Sequence, residues 1–343
     1  MSRHVMECLG MSRVVIEDGK VVEVSEPKVK HCPLFKKYRG SEELNTDTVR
    51  ENIEYRISSF GMCTEDRVTE MDDVISFGVS EILSHALRQK TIDAAVIAAD
   101  GCGTAVITDP RILQGMGGRI SGICETEPIP KVVEAIGREN MLDPDTAEMD
   151  MVAGVGKAFS MKHRTVAVTT PSVSDAMAIR DMYGDNAVIV GVHTSGMSDA
   201  DAIRAFDTFD IITACASRAL RDEAARRPDV MVAGTKVPIY GVTDKGKALV
   251  SSKLEQLGLE PWDGTTPQTP PEPLICAPFR GARIPLSILL HIPRKNVPMN
   301  QFIQWRYSIR LLPWMMIGDA GGTAGMRVGY AMSMGSMPSC PTS

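Results

Sequence analysis

Residues 92–128 read IDAAVIAADGCGTAVITDPRILQGMGGRISGICETEP, and the class of fold turns on this stretch. It opens on an apolar run, Ala94 to Ala99, breaks at Asp100-Gly101-Cys102-Gly103-Thr104, and passes a second glycine cluster, Gly115-Met116-Gly117-Gly118-Arg119. A short apolar run bounded by turn residues is a buried strand. The glycines behind it permit positive φ and close backbone approach, and at strand ends in α/β proteins such elbows receive anions, thiolates and substrates.

Further along, the short β-branched runs Val166 to Val168, Ala187 to Val192, Ile211 to Ala214 and Val230 to Ala233 alternate with helical segments. That alternation predicts a mostly parallel, Rossmann-like sheet covered by helices. Ser172-Val-Ser-Asp175 and Ser198-Asp-Ala-Asp201 fit a capping box just after a strand and mark two helix starts.

Upstream, residues 13–24, RVVIEDGKVVEV, place β-branched residues around Asp18-Gly19 and predict a hairpin. Asn45 or Thr46 then caps a helix with Val49, Ile53 and Ile57 on one face, ended by Gly61, and a core-facing stripe follows near Val79 to Gln89. The expected organisation is an N-terminal hairpin-and-helices region over 1–90, an α/β domain over 91–275, and a tail over 276–343.

Charge separates that tail from the rest. Of 37 basic and 43 acidic side chains, the tail holds seven basic residues and a single acid, Asp319. With its proline-rich border and loss of periodicity, it reads as a poorly structured extension, or as an arm for a membrane or partner. The acidic body argues against a nucleic-acid partner, which calls for clustered Lys and Arg. No apolar run is long enough for a membrane helix, and MSRHVMECLG lacks the core of a secretory signal, so a cytoplasmic location is expected.

Eight cysteines without any CxxC imply reduced thiols and no ordinary zinc ribbon. Ligands of a parallel sheet bind outside the carboxyl ends of its strands. Those ends carry Asp100 and Cys102, Thr169 to Ser172, His193 to Gly196, and Thr213 to Arg218. Asp100, Cys102, His193 and Cys215 are therefore the candidate catalytic residues. His193 would be general base or ligand, the cysteines nucleophiles, ligands or persulfide carriers, with inert core thiols the alternative. Cys32 and Cys63 lie in turns and join Cys102 and Cys215 as candidate metal ligands, for an iron–sulfur species or another metal; Cys8 and Cys124 are read as structural. Arg119 with the amides of Gly117 and Gly118 would suit an anion. Two phosphate-loop patterns are excluded: Ile120 replaces the third glycine of a dinucleotide fingerprint, and Ala248 stands where a P-loop needs Ser or Thr.

The segments HCPLFKKYRG, ENIEYRISSFGMCT, ISFGVSEIL, QGMGGRISG, GVHTSGMS and DIITACASR, in this order, resemble methanogenesis marker protein 8, a family of methane-producing archaea. The resemblance runs from residue 3 to about 275. It implies a link to methanogenesis, through assembly or activation of methyl-coenzyme M reductase or handling of its cofactors, and it implies methanogenesis proteins as partners. The chain departs from the family beyond Pro261-Trp262-Asp263-Gly264, where members usually end. Three roles follow as expectations: an accessory or maturation factor, an enzyme acting on a small anionic metabolite within one enclosed strand-end pocket, and a non-catalytic interaction protein.

Overall fold

The structure is a computed structural model, and it describes residues 2–40, 43–72, 77–118 and 122–275, all within one unit spanning Met1–Leu286. Tyr38 and Arg39 are described by backbone only, and the tail lies outside the described residues. The chain begins with β1 (Arg3–Glu7), β2 (Arg13–Glu17) and β3 (Lys20–Val24), then α1 (Pro33–Arg39), α2 (Thr46–Phe60) and α3 (Val79–Arg88). It continues through β4 (Ala94–Ala99), β5 (Gly103–Ile107), α4 (Pro110–Gly117), β6 (Gly122–Glu125), α5 (Pro130–Ile136) and α6 (Met151–Ser160). The second half holds β7 (Val166–Thr170), α7 (Val173–Tyr183), β8 (Ala187–Gly191), α8 (Asp199–Thr208), β9 (Ile211–Thr213), α9 (Arg218–Ala225), β10 (Met231–Ala233), β11 (Ile239–Gly241) and α10 (Asp244–Leu257).

Local signals explain most boundaries. Asp18 and Gly19 both take positive φ in the β2–β3 turn, as a tight hairpin of this twist requires. Asn45 caps α2 through a reciprocal box with Thr48, and Gly61 ends that helix at φ 70°, where an added Cβ would stand 2.2 Å from the Asp66 carbonyl. Ser172, Ser198, Ser217 and Thr243 each accept a backbone N–H in the first turn of the helix they start. Thr243 thus accounts for the near-P-loop letters as a helix cap.

Two sheets result. The larger has the order β10-β11-β9-β8-β7-β4-β5, in which β4, β7, β8 and β9 run parallel and the remaining pairings are antiparallel. The architecture is mixed α/β around a parallel centre. Residues of the central strands alternate between two cores: Ala95, Ile97, Ala167, Val188 and Val190 face one, and Ala94, Val96, Val166, Val168 and Ile189 the other. Burial on both faces explains the continuous apolar runs seen in the sequence. The smaller sheet, β3-β2-β1-β6, is antiparallel and packs Met6, Val14 and Ile16 against Val49 and Ile53 of α2. Because β6 comes from the middle of the chain, this sheet draws on residues either side of position 90.

Three details differ from expectation. The Asp100–Thr104 elbow is the turn of a β4–β5 hairpin, in register from Ala95↔Ile107 to Ala99↔Gly103, so a strand stands where only a loop is expected. The Val230–Ala233 run is an antiparallel edge strand, not a member of the parallel set. The parallel order also advances one way from β4 to β9, which leaves no strand-order reversal inside it.

Candidate functional site

The carboxyl ends of the parallel strands meet the small sheet and its flanking segments, and the four predicted catalytic residues separate there into two neighbourhoods. The first lies at the end of β4. Arg67 Nε donates to both oxygens of Asp100, at 3.1 and 3.0 Å, with both side chains fully buried. The Cys63 N–H donates to Asp100 Oδ2 at 2.7 Å. Arg67 also donates to the carbonyls of Val68 at 2.7 Å and Gly115 at 3.1 Å, and its guanidinium lies 5.3 Å from the Phe60 ring centroid. Asp100 is therefore committed to a clamp that fixes the loop after α2 to the end of β4.

Cys102 shares this interior. It is fully buried, and its Sγ faces the carbonyl oxygens of Ala99 at 3.6 Å and Gly103 at 3.4 Å, which accept from the thiol and offer a thiolate nothing. Burial, then the Asp100 charge, pushes the thiol up to about 12. Cys63 is also fully buried, and the same two causes raise it well above the ordinary range. These thiols are core residues, and β4 stands three strand spacings, about 14 Å, from β9. Asp100 and Cys102 thus do not face Cys215 across the edge, contrary to the sequence reading, because a buried arginine draws the carboxylate inward.

The second neighbourhood lies at the ends of β8 and β9, where loops are stapled together by a Thr194 hydroxyl bond to the Thr213 carbonyl and a Thr213 hydroxyl bond to Gly191 O at 3.0 Å. The Ser195 hydroxyl accepts the Ala216 N–H at 3.3 Å. Protein crowding raises the Cys215 pKa, although the residue still reaches solvent; the Ser195 bond is the largest influence against that rise, joined by the Ala216 amide and the Arg221 charge. The charge of the half-buried Cys32 adds to the rise.

Arg221 on α9 completes the group. It donates to the carbonyls of Ala214 at 2.9 Å, Cys215 at 3.1 Å and Lys236 at 3.3 Å, and to Gln268 Oε1 at 2.9 Å. Its Nε is buried with no acceptor, and among the described residues no carboxylate pairs with it. A cation held this way keeps its charge for whatever occupies the rim. Sequence reading placed Ser195 on the rim, in the His193–Gly196 loop, without giving it a role, and missed Arg221, one turn beyond Ser217, and Arg67; nothing local announces their partners.

His193 lies in the same β8–α8 loop at φ 51°, with its ring against Gly122: a Cβ there would come within 3.1 Å of Nδ1. Crowding and then Arg56 lower the imidazole to about 4, a shift that the water reaching this exposed residue works against. Directly opposite Gly122 in register stands Glu7, buried, with no hydrogen bond or ion pair to its carboxyl among the described residues. Burial pushes Glu7 up to about 8 against the pull of Lys28. Cys124, two residues along β6, is held at about 11 by burial and then by the Glu7 charge.

Two sequence expectations need correction. Gly117 and Gly118 close the carboxyl end of α4, where the Gly118 N–H is already bonded to Gln114 O at 2.9 Å. That helix end presents carbonyls and repels anions. Arg119 lies outside the described residues. Nor do Cys32, Cys63, Cys102 and Cys215 assemble as one metal set: among the described residues no three His, Cys, Asp or Glu side chains converge on a point, and two of these thiols are sealed in the core. The donors present do not fit a resident four-ligand metal, which needs deprotonated thiolates at one centre. Two shallow cavities, of about 210 and 240 Å³, are lined by Asp199, Ala219 and Asp222 among others, and by Ile92 and Lys245 among others, and neither lining includes Cys215, Ser195 or Arg221. No helix among the described residues is long and apolar enough to cross a membrane.

Residues 4–255 match the family described as "Uncharacterized protein conserved in archaea (DUF2099)". The chain is 42% identical over 262 residues to "Uncharacterized protein MJ0054" of Methanocaldococcus jannaschii, covering 75% of this chain and 92% of the relative. Among solved structures, a chain of the F420-reducing [NiFe] hydrogenase complex from Methanosarcina barkeri aligns at 13% identity, over 61% of this chain and 78% of that one. Its TM-score of 0.28 is too low to support an argument about fold or function.

Proposed function

The chain belongs to this archaeal family, DUF2099, and on that premise we propose that it is a cytoplasmic accessory or maturation factor linked to methanogenesis, working through Cys215. The resemblance to methanogenesis marker protein 8 and the methanogen relative support the setting. One observation carries the reading of the site: the half-buried Cys215 lies in a loop where Ser195 Oγ accepts the Ala216 N–H at 3.3 Å and the Arg221 guanidinium donates to the Cys215 carbonyl at 3.1 Å. Such donors lower the cost of a thiolate and mark a cysteine kept for chemistry rather than packing. We take the strand–helix winding from β7 to β9 as the Rossmann-like part of the proposal, since it delivers both site loops to one edge. No step is assigned to a bound metal.

The partners proposed are methyl-coenzyme M reductase or its activation components. The test is replacement of the chromosomal copy by Cys215→Ser in a methane-producing archaeon, with a tagged wild-type chain purified anaerobically in parallel. Slowed methanogenic growth and co-purification of reductase components are expected. Unchanged growth with no such component recovered would overturn the role. A second reading, an enzyme for a small anionic metabolite at this rim, is favoured by the absence of any carboxylate partner for Arg221 among the described residues; saturable binding of a small carboxylate, lost in Arg221→Met, is its check.

A further inference from the structure

Glu7 and His193 flank one glycine, and neither side chain has a hydrogen-bond partner among the described residues. Met6 and Ile123, paired in the β1–β6 ladder, pack into the core under α2, so the next pair, Glu7 and Gly122, presents to the opposite face of the small sheet. On that face a Cβ at Gly122 would lie 3.1 Å from His193 Nδ1, 3.3 Å from His193 Cγ and 3.4 Å from the Glu7 carbonyl oxygen. The imidazole thus lies against the strand position directly across from Glu7. Glu7 is only 8% exposed, and even Arg13, its register neighbour on β2, turns its guanidinium to Glu23 at 2.8 Å. His193 is exposed and holds φ 51°, a backbone conformation that side chains rarely adopt. A carboxyl buried without a donor keeps its proton, in line with the rise of Glu7 to about 8. The charges acting on the pair are cations, Lys28 on Glu7 and Arg56 on His193, while Cys124, at about 11, stays a neutral thiol.

We propose that Glu7 and His193 form a binding site for a small carboxylate, one oxygen accepting the Glu7 O–H and the other a ring N–H of His193. The ligand enters past the exposed imidazole and meets the carboxyl at the inner end. Two neutral donors in a cationic surrounding suit an anion and reject an ammonium group of the same size. The Glu7 proton is the condition for binding, because a carboxylate facing a second carboxylate is repelled. The site lies apart from the Cys215 rim and uses neither Arg221 nor Cys215.

The test is calorimetric titration of the full chain with acetate and, separately, with methylammonium, near pH 7 and again near pH 9.5. Acetate is expected to bind saturably at the lower pH and at least about tenfold more weakly at the higher, where Glu7 has lost its proton, and methylammonium to bind at neither. Glu7→Gln keeps a donor that cannot ionise and should bind acetate equally at both. His193→Ala should lose at least about tenfold in affinity at the lower pH. The wild-type comparison of two ligands at two pH values needs no variant to fold. No acetate binding, a preference for methylammonium, or a pH dependence that persists in Glu7→Gln would overturn the site. Acetate binding lost in Arg221→Met and kept in Glu7→Leu would move the carboxylate to the Cys215 rim, sinking this site and supporting the enzyme reading there.

Discussion

The ends of β4 and β9 carry the same kind of text, a small polar turn with a cysteine, and the structure makes opposite things of them. Cys102 is sealed in the core, its sulfur facing two carbonyl oxygens with the Asp100 charge nearby and only the smaller opposing pull of Arg67. Cys215 is half-buried, and burial raises it too, against the influence of Ser195, the Ala216 amide and Arg221. Access to solvent and the balance of charges and donors around a sulfur, not the residues beside it in sequence, separate the two thiols. The arginines repeat the contrast: Arg67 is neutralised by Asp100, whereas Arg221 rests on carbonyls alone and Gln268.

The largest expected effect comes from separating the buried pair. Arg67→Met strands Asp100 without its counter-charge and should cost about 3–5 kcal/mol in chemical denaturation. Arg221→Met strands no carboxylate and should cost about 1–2 kcal/mol. Equal losses would erase the distinction between the two arginines.

Carboxyls extend the comparison, since Asp100 is surrounded by donors and Glu7 is not. With Glu7 raised from 4.5 to about 8, the folded chain keeps a proton that the unfolded chain has released. This group's contribution to stability should therefore be greatest below about pH 4.5, fall as pH rises to about 8, and then level, a change on the order of 5 kcal/mol. Glu7→Gln should flatten that slope when denaturation midpoints are measured at pH 5 and 8.5. A slope unchanged in the variant would assign it to other groups.

Alkylation reads the two thiols directly. At pH 8, iodoacetamide should label Cys215 at least about a hundredfold faster than Cys102, as followed by peptide mass spectrometry. Ser195→Ala should then slow the Cys215 reaction by about tenfold, the worth of one hydrogen bond to a charged sulfur, while Cys102 stays as it was. Matching rates for Cys102 and Cys215 in the wild type would break the comparison outright.

Much of the fold was legible because its signals are local. A capping asparagine, a turn dipeptide, and a run of Val and Ala buried on both faces each act within a few residues of themselves. The antiparallel β5 escaped because its hairpin turn, Asp100-Gly101-Cys102, looks the same as a strand-end loop. The β10–β11 edge escaped because an apolar run records burial and not strand direction. At the site, the strand-end rule pointed to the loops of His193 and Cys215, which lie at the ends of β8 and β9, and it also took in Asp100, which Arg67 occupies, Cys102, which is sealed in the core, and the glycines that end α4.

By itself the sequence determined most of the helices and the parallel strands, the archaeal family, and a set of loops that could carry chemistry. Only the tertiary structure decided which thiol is equipped for it. Arg67 reaches Asp100, Ser195 holds the Ala216 amide and Arg221 holds the Cys215 carbonyl across folded segments, and the energy of a buried charge or thiolate depends on such through-space donors. No pattern along the chain encodes them.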